Sequence, residues 1–222
     1  MLLFLHVRGP TAANKGYIAP MNLNSAAIEI LQEFLQKLTG LGAEETVPLF
    51  STARTVTLTN NQVYIPIGDK SRKLAFIEKG VMRAYAVKDN GDEATLYIRW
   101  EGQFIASHDT IINHSPSRFI YRALEDCTLM EVDYDTLDKI MREQPKFEPL
   151  RNFFLLRMLS ETLDMIESFV FLSPEERYQK LISDRFNIVN RVPDKHLASM
   201  LGVTPVSLSR IRKRIQQQRK LN

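Results

Sequence analysis

The segment that most constrains the fold of this chain lies near its end, at residues 192–214. Apolar residues recur there at the spacing of a helix face, first up to Leu201 and again after Pro205. Between the two runs, Gly202 suits the left-handed conformation that ends many helices. Thr204 followed by Pro205 is the pattern of an N-cap and a first helical residue. Two helices joined by such a turn form a helix-turn-helix, whose second helix typically enters the major groove of DNA.

The second helix of this motif is predicted to have a buried face and a basic outer face. Leu208, Ile211 and Ile215 lie at three- and four-residue steps, so they face inwards. The residues predicted on or near its outer surface are Val206, Ser207, Ser209, Arg210, Lys213 and Arg214. An ordinary helical hairpin with a solvated basic end is the alternative. The agreement of cap, turn glycine, apolar spacing and basic face favours the helix-turn-helix.

Positive charge is concentrated in the same part of the chain. Residues 195–222 contain seven Lys and Arg residues and no Asp or Glu, so this segment carries +7. The whole chain has a net charge of +3, which leaves −4 on the remainder. Concentrated positive charge on a capped helix is typical of binding to nucleic-acid phosphates. Binding to RNA or to an acidic membrane is the alternative, but the segment lacks the aromatic residues that stack on single-stranded bases.

Composition and length indicate a globular chain rather than a disordered one. Its 222 residues are 44% hydrophobic, enough for the core of one large domain or two small ones. The single cysteine, Cys127, is expected in the core, and it excludes a disulfide framework and a four-cysteine metal site within one chain. This use of cysteine fits a reducing cytoplasm, where we expect the protein to be.

The first 23 residues are expected to form a flexible extension. Their apolar start is too short to span a membrane, and the charges that follow are in the wrong order for a signal peptide. Gly9, Pro10, Gly16 and Pro20 then interrupt regular structure. Met21 is an alternative natural start. We therefore expect no membrane segment and no membrane partner.

The period of the apolar residues changes twice along the chain, which predicts an α+β fold. Residues 25–38 have the pattern of an amphipathic helix. From Ala53 to Val132 the period is two, in short runs separated by turns such as residues 89–92. Short strands at regular spacing favour an antiparallel barrel or jelly roll. After Asp133 the helical period returns.

A long helix is predicted over residues 150–171, with apolar residues around much of its surface. One stripe contains Phe154, Met158, Glu161 and Met165, and the stripe beside it contains Leu155, Leu159, Thr162, Ile166 and Phe169. Packing on the chain's own barrel accounts for one stripe. The other favours pairing with a second copy, so we expect a homodimer and assign the first stripe to its dimerisation helix.

The order of these parts resembles the cyclic-AMP-receptor/FNR (Crp/Fnr) family of bacterial transcription regulators. The resemblance depends on residues 76–83, 102–105, 121–127 and 173–178, together with the helix-turn-helix. It implies a division of the chain into four parts. These are a flexible extension over residues 1–23, a cyclic-nucleotide-binding-like effector domain over 24–148, a dimerisation helix over 149–172 and a helix-turn-helix DNA-binding domain over 173–222.

In cyclic-nucleotide-binding members of this family, a phosphate-binding cassette opens with a glycine and a glutamate and ends with an arginine. The matching opening here ends in Ala106 and Ser107, so the carboxylate is missing. An ungapped count places Ser117 at the arginine position and Arg118 one residue late, where a strand turns its side chain to the opposite face. These four residues are the candidate effector pocket. We expect that cyclic AMP does not bind there in the usual way.

Other cofactors of the family can be judged from cysteine and histidine. An iron–sulfur cluster is excluded because one cysteine cannot hold it. Haem stays open, since His108 or His114 is a candidate axial ligand; the alternative is that both are solvated loop residues. No metal site is predicted. The effector is therefore an unknown small molecule, with residues 99–101 and the loop at 108–117 as candidate walls of its pocket.

The resemblance also implies roles on DNA for the second helix of the motif. Arg210 matches a family arginine and is the best base-contact candidate, since arginine reads guanine through two hydrogen bonds. Ser207 and Val206 are further base-contact candidates. Phosphate contacts are expected from Thr204, Ser209, Arg212, Lys213 and Arg214. The expected partners are palindromic double-stranded DNA, a second copy of the chain and RNA polymerase.

Three functions follow from these observations with unequal support. The main interpretation is a homodimeric, sequence-specific DNA-binding transcription regulator. The alternative is a ligand-binding signalling module that acts through protein contacts and keeps a vestigial DNA-binding motif. An enzyme is not expected, because the sequence has no His-x-His pair with a downstream carboxylate, no nucleophile elbow and no phosphate-binding loop.

Overall fold

The structure, a computed structural model, describes residues 25–184 and 187–221. The predicted extension over residues 1–23 lies outside the described residues. The described chain begins with two helices, α1 (Ser25–Thr39) and α2 (Ala43–Thr46). A 3₁₀ turn over Val47–Phe50 then leads into the strands.

The middle of the described chain folds into two antiparallel sheets. The strands are β1 (Arg54–Leu58), β2 (Val63–Ile65), β3 (Lys73–Lys79), β4 (Met82–Val87), β5 (Glu93–Arg99), β6 (Phe104–Ala106), β7 (Ile120–Ala123) and β8 (Cys127–Asp133). One sheet has the order β1-β8-β3-β6, and the other has the order β2-β7-β4-β5. The predicted α+β class and the jelly roll are confirmed. The strands form two separate sheets, so the alternative of a closed barrel is wrong.

The core of the jelly roll lies between the two sheets. Ile77 and Leu129 of one sheet and Met82 and Tyr121 of the other are completely buried there, because alternate residues of each strand face inwards. Cys127 is also buried, as predicted. This half of the fold is therefore a packed sandwich of side chains.

Glycine makes the turn between β3 and β4 possible. Gly80 has a φ of +103°, a conformation that side chains disfavour, and a Cβ there would lie 2.4 Å from the Cys127 Sγ. The predicted hairpin turn between β4 and β5 also forms, closed by a 2.9 Å hydrogen bond from the Lys88 amide to the Asp92 carbonyl. Both turns follow local sequence signals.

Helices surround and follow the jelly roll. They are α3 (His108–Ile111), α4 (Tyr134–Glu143), a 3₁₀ turn over Pro145–Phe147, α5 (Glu148–Phe171), α6 (Pro174–Asp184), α7 (Ile188–Arg191), α8 (Asp194–Met200) and α9 (Pro205–Leu221). Among the helices that the structure describes, none is both long enough and apolar enough to cross a membrane.

The predicted dimerisation stripe of the long helix α5 is half-buried within a single chain. All four of its residues are half-buried, and two of them contact the jelly roll: the Phe154 ring lies 5.1 Å from that of Phe104, and Glu161 pairs with Arg99 at 2.6 Å. The exposed apolar residues of α5 lie on other faces of the helix. They are Leu155, Leu156, Leu159, Leu163, Ile166, Phe169, Val170 and Phe171.

The C-terminal region, α6 to α9, has a core that continues into the jelly roll. Leu197, Leu201 and Leu208 are buried in it, and they cluster with Val81 and Ile98 of the jelly roll. Helix α8 packs directly on β5. The helix-turn-helix therefore does not stand apart from the sheets but is docked on one of them.

Candidate nucleic-acid interface and effector region

The turn of the helix-turn-helix has the predicted geometry. Gly202 adopts a φ of +70°, and a Cβ at this position would lie 3.0 Å from the ring of Phe169. Thr204 caps α9, because its Oγ1 accepts a hydrogen bond of 3.2 Å from the Ser207 amide. A side chain at Gly202 would thus disturb both the turn and its packing on α5.

The two faces of α9 differ as the periodicity predicts. Leu208, Ile211 and Ile215 are buried, whereas Val206 is 61% exposed. On the outer surface, Ser209, Arg210, Lys213 and Arg214 are also exposed, and Ser207 is half-buried. The N-terminal end of α9 therefore presents hydroxyl, guanidinium and methyl groups to solvent together, which are the groups that contact base edges and phosphates.

Arg212 differs from the other predicted phosphate contacts because it has partners within the chain. Its guanidinium turns inwards, where Nη1 pairs with Asp194 at 2.7 Å and Nε donates to the Tyr178 hydroxyl at 3.2 Å. These contacts join α9 to α6 and α8. Periodicity alone could not reveal them, since an arginine at the edge of the buried face can turn either way.

A polar contact fastens α8 to the jelly roll, and the sequence did not indicate it. The Ser199 hydroxyl accepts a hydrogen bond of 2.9 Å from the Thr95 amide and donates one of 3.2 Å to the Glu93 carbonyl. Buried His196 lies beside it, with its Nδ1 4.0 Å from the Glu93 carboxylate. Burial, together with the charges of Arg83 and Lys195, lowers the pKa of His196 to about 4, so this imidazole is neutral at physiological pH.

An ion-pair cluster at Arg191 makes the second contact between the two regions. Its guanidinium donates two hydrogen bonds to Glu101, of 3.0 and 2.5 Å, and further hydrogen bonds to Glu125. Burial raises the pKa of Glu101, but the bonds from Arg191 and from the Gly80 amide (2.9 Å) outweigh it and bring that pKa to about 2. We call these three side chains the Arg191 cluster.

The hydroxyl and guanidinium groups of the predicted cassette form hydrogen bonds and an ion pair within the chain. Ser117, at the position of the family arginine, is buried and accepts a 3.1 Å hydrogen bond from the Ser107 hydroxyl. The side chain of Arg118 is 73% exposed and pairs with buried Asp109 at 2.8 Å, so it points away from the interior as predicted. The side chains of Ser107, Ser117 and Arg118 therefore already have partners within the chain.

Aromatic rings fill the space beside these serines. The rings of Tyr97 and Tyr121 lie 6.3 Å apart, and Tyr121 is fully buried. Sequence reasoning missed the two residues that set this arrangement, Asp109 and Tyr121. The signal for Asp109 in the sequence was a lone acidic residue two positions after the cassette opening.

The two candidate haem ligands lie in different surroundings. His108 belongs to α3 and is half-buried, with its ring 6.0 Å from that of Tyr97; the interpretation of it as a solvated loop residue is wrong. Burial lowers the pKa of His108. His114 is exposed, and its Nδ1 lies 3.1 Å from the Arg72 guanidinium. Among the described residues, no three His, Cys, Asp or Glu side chains come together as a metal site.

Comparison with known proteins finds a family model for the middle of the chain and relatives over most of its length. Residues 55–144, the jelly roll and α4, match the family model of the cyclic nucleotide-binding domain. The anaerobic regulatory protein of Pasteurella multocida is 24% identical over 174 residues, which cover 72% of this chain and 62% of that protein. The fumarate and nitrate reduction regulatory protein of Vibrio cholerae is 23% identical over 174 residues, which cover 72% of this chain and 68% of that one.

The solved structures extend the likeness to the fold. FixK2 from Bradyrhizobium japonicum superposes with a TM-score of 0.64 at 14% identity, over 75% of this chain and 85% of that one. The aligned part of this chain spans less than two thirds of the Pasteurella protein's length. Both relatives are regulatory proteins rather than enzymes, which agrees with the prediction from the sequence.

Proposed function

We propose that this chain is a transcription regulator of the Crp/Fnr type, which binds DNA sequence-specifically as a homodimer and thereby regulates transcription. The observation that carries the proposal is α9, a capped helix with a buried apolar face and an exposed basic face. That arrangement is typical of a helix that enters the major groove. A second copy, RNA polymerase and an effector are proposed partners, and the cytoplasm is the proposed location.

Within α9, the proposed contacts are those whose side chains are free to reach DNA. Arg210 is proposed to read a guanine, with Ser207 and Val206 beside it on neighbouring bases. The proposed phosphate contacts are Thr204, Ser209, Lys213 and Arg214. Arg212 is left out because its guanidinium is engaged by Asp194 and Tyr178. Arg214 forms an exposed ion pair with Glu175 at 3.3 Å, which a phosphate can replace at little cost.

The exposed face of α5 is the proposed dimer contact. Leu156 and Val170 are each 66% exposed and lie one above the other on a face that its own jelly roll leaves bare. Pairing two such helices removes this apolar surface from water. The two-fold axis would place two α9 helices on half-sites about 34–36 Å apart, or a multiple of that distance. The proposed parts keep the boundaries 24–148, 149–172 and 173–222.

The effector domain is proposed not to bind cyclic AMP in the usual way. The support is the buried hydrogen bond between Ser107 and Ser117 and the outward position of Arg118. Titration calorimetry with cyclic AMP should show no binding that depends on Arg118. Tight binding that Arg118→Ala abolishes would contradict this part of the proposal.

Selection of bound DNA from a random duplex pool by the full chain tests the main proposal. We expect recovery of a palindrome, and a log–log decrease of its affinity with salt that reports several phosphate contacts. Recovery of duplexes with no shared sequence would overturn the proposal. In that case the alternative, a ligand-binding module that signals through protein contacts, would take its place.

A further inference from the structure

A cavity of about 340 Å³ lies beside the cassette, between the jelly roll, α3, α4 and α5. Ala106 and Ser107 form part of its wall, whereas Ser117 and Arg118 do not. Arg99, which the sequence suggested as a wall residue, lines it too. The cavity is therefore lined by only half of the predicted effector pocket, and half of its lining residues come from α4 and α5, which follow the jelly roll.

The wall of this cavity is rich in arginine. Its lining contains five arginines and only three carboxylates, those of Asp135, Asp138 and Glu161. Two of the carboxylates are shared: Asp138 pairs with two arginines, at 2.8 and 3.6 Å, and Glu161 pairs with two, at 2.6 and 3.0 Å. The ion pairs therefore leave two positive charges that the wall does not balance. His108, whose pKa burial lowers, adds no charge at neutral pH.

The arginines also retain hydrogen-bonding capacity. A guanidinium carries five N–H donors, and a shared carboxylate occupies only some of them. In Arg72, which lines the cavity, Nε is buried and finds no acceptor among the described residues. Arginine forks bind carboxylate and phosphate groups through paired, charge-assisted hydrogen bonds. An acidic group in the cavity would meet donors that are already in place.

The floor of the cavity is apolar. Leu74, Phe104, Leu137, Met141 and Phe154 contribute to its lining, so a ligand there also meets aliphatic and aromatic surface. Apolar walls with a few convergent polar groups are typical of small-molecule sites. An arginine rim over such a floor matches a ligand with an acidic head and an apolar body.

We propose that this cavity binds an amphipathic organic anion, its carboxylate or phosphate held by Arg72, Arg99 and Arg151 and its apolar body held by α4 and α5. This rests on the proposed function only in naming the ligand as the effector of a DNA-binding regulator. Such a ligand would touch α4, α5 and the jelly roll at once. The bound ligand would therefore contact α5, the helix that carries the proposed dimer contact.

Titration calorimetry of the full chain with three probes tests the chemistry. Decanoate and octyl phosphate supply the two acidic heads, and 1-decanol supplies the apolar body without charge. We expect at least one of the anions to bind about tenfold or more tightly than 1-decanol. Binding of decanoate alone or octyl phosphate alone identifies the head group. Equal affinity for the alcohol, or no binding of either anion, would overturn the proposal.

A matched pair of variants tests the place. Arg151→Gln removes a rim charge but leaves Asp138 paired with Arg142 at 2.8 Å, so the fold should persist. Lys139→Gln removes the same charge from the exposed surface of α4, outside the cavity lining. We expect the first variant to bind the anion about tenfold more weakly and the second to bind like the parent. Equal effects of the two variants would overturn the proposal.

DNA selection on the same preparations separates this proposal from the function it rests on. A chain that selects a palindrome but binds neither anion overturns the ligand site and leaves the regulator intact. A chain that binds the anion, with the expected loss in Arg151→Gln, but selects no DNA sequence supports the site and overturns the regulator.

Discussion

The C-terminal region and the jelly roll hold their charged residues in opposite ways. Arg210 and Lys213 of α9 are exposed, and no hydrogen bond or ion pair engages either of them within the described ranges. In the cassette, by contrast, Arg118 is committed to Asp109 at 2.8 Å, and Ser107 is committed to Ser117 at 3.1 Å. Arg210 and Lys213 thus present their donors to solvent, while Arg118 and Ser107 of the cassette donate to partners within the chain.

This difference shows where each region can still bind something. A contact to DNA needs free donors at the surface, and α9 retains them. In the cassette, Ser107 and Arg118 already have partners within the chain. The regions are joined by α5, by the Arg191 cluster and by the contacts of α8 with β5, so we expect a signal to reach α9 through these joints. Substitutions in these joints and in α9 test the difference between the two regions.

Replacing Leu163 by glutamate should have the largest effect, because it separates the two copies of α9 while leaving the jelly roll unchanged. Leu163 is 49% exposed on the outer face of α5, where a second copy would bury the new charge. We expect a monomer in sedimentation velocity. Affinity for the selected palindrome should fall about 1,000-fold or more, towards non-specific binding.

Ser160→Glu is the matched control for this variant. It adds the same charge to an exposed polar position of α5, at the edge of the apolar face rather than at its centre. We expect it to remain dimeric and to bind the palindrome like the parent. A dimeric Leu163→Glu protein with full affinity would show that the dimer uses another surface.

Replacing Arg210 by alanine should distinguish base contacts, which give sequence specificity, from phosphate contacts, which hold the protein on any DNA. The free guanidinium is expected to discriminate one base by about 1–3 kcal/mol, or roughly 5- to 150-fold, so the variant should lose preference at one position of each half-site. Lys213→Ala should instead weaken binding to all sequences and reduce the salt slope by about one. Repeating the DNA selection with both variants distinguishes these outcomes. An unchanged selected sequence for Arg210→Ala would remove this residue from the base contacts.

Local signals predicted the helix-turn-helix well, because its turn is encoded within a few residues. Thr204 caps α9 and Gly202 has the left-handed φ that ends a helix. The joint between the regions could not be predicted in this way. Arg191 meets Glu101 across 90 residues of sequence, and Ser199 meets Thr95 across 104. No local spacing reports such pairs.

The stripes of α5 show likewise that the sequence does not reveal contacts between distant segments. Periodicity correctly grouped Phe154 with Met158, Glu161 and Met165, but it could not say which neighbour that face would meet. The face packs on its own jelly roll because Phe104 and Arg99 lie opposite it. The cassette was easier, since a missing carboxylate and a shifted arginine are visible in the sequence itself.

Replacing Arg191 by alanine should weaken the joint between the regions. It leaves Glu101 and Glu125, whose side chains are 26% and 32% exposed, without their shared guanidinium. We expect the free energy of unfolding to fall by about 2 kcal/mol, measured by chemical denaturation. Lys139→Ala breaks a fully surface-exposed pair with Glu143 and should change stability by less than about 1 kcal/mol. Similar losses in the two variants would mean that the Arg191 cluster does not hold the regions together.

At neutral pH the smallest effect is expected from His196, which lies where α8 docks on β5. Because burial lowers its pKa from 6.5 to about 4, the unfolded chain binds this proton more readily than the folded one. Its contribution to stability is therefore constant above pH 6.5 and falls as the pH drops towards 4. One proton sets a limit of about 1.4 kcal/mol per pH unit on that slope. His196→Gln should remove this part of the pH dependence, whereas His114→Gln, at an exposed position, should not. The free energy of unfolding of the parent and of His196→Gln is measured from pH 6.5 to 4. If it changes by the same amount in both proteins, the protonation of His196 does not weaken the docking of α8.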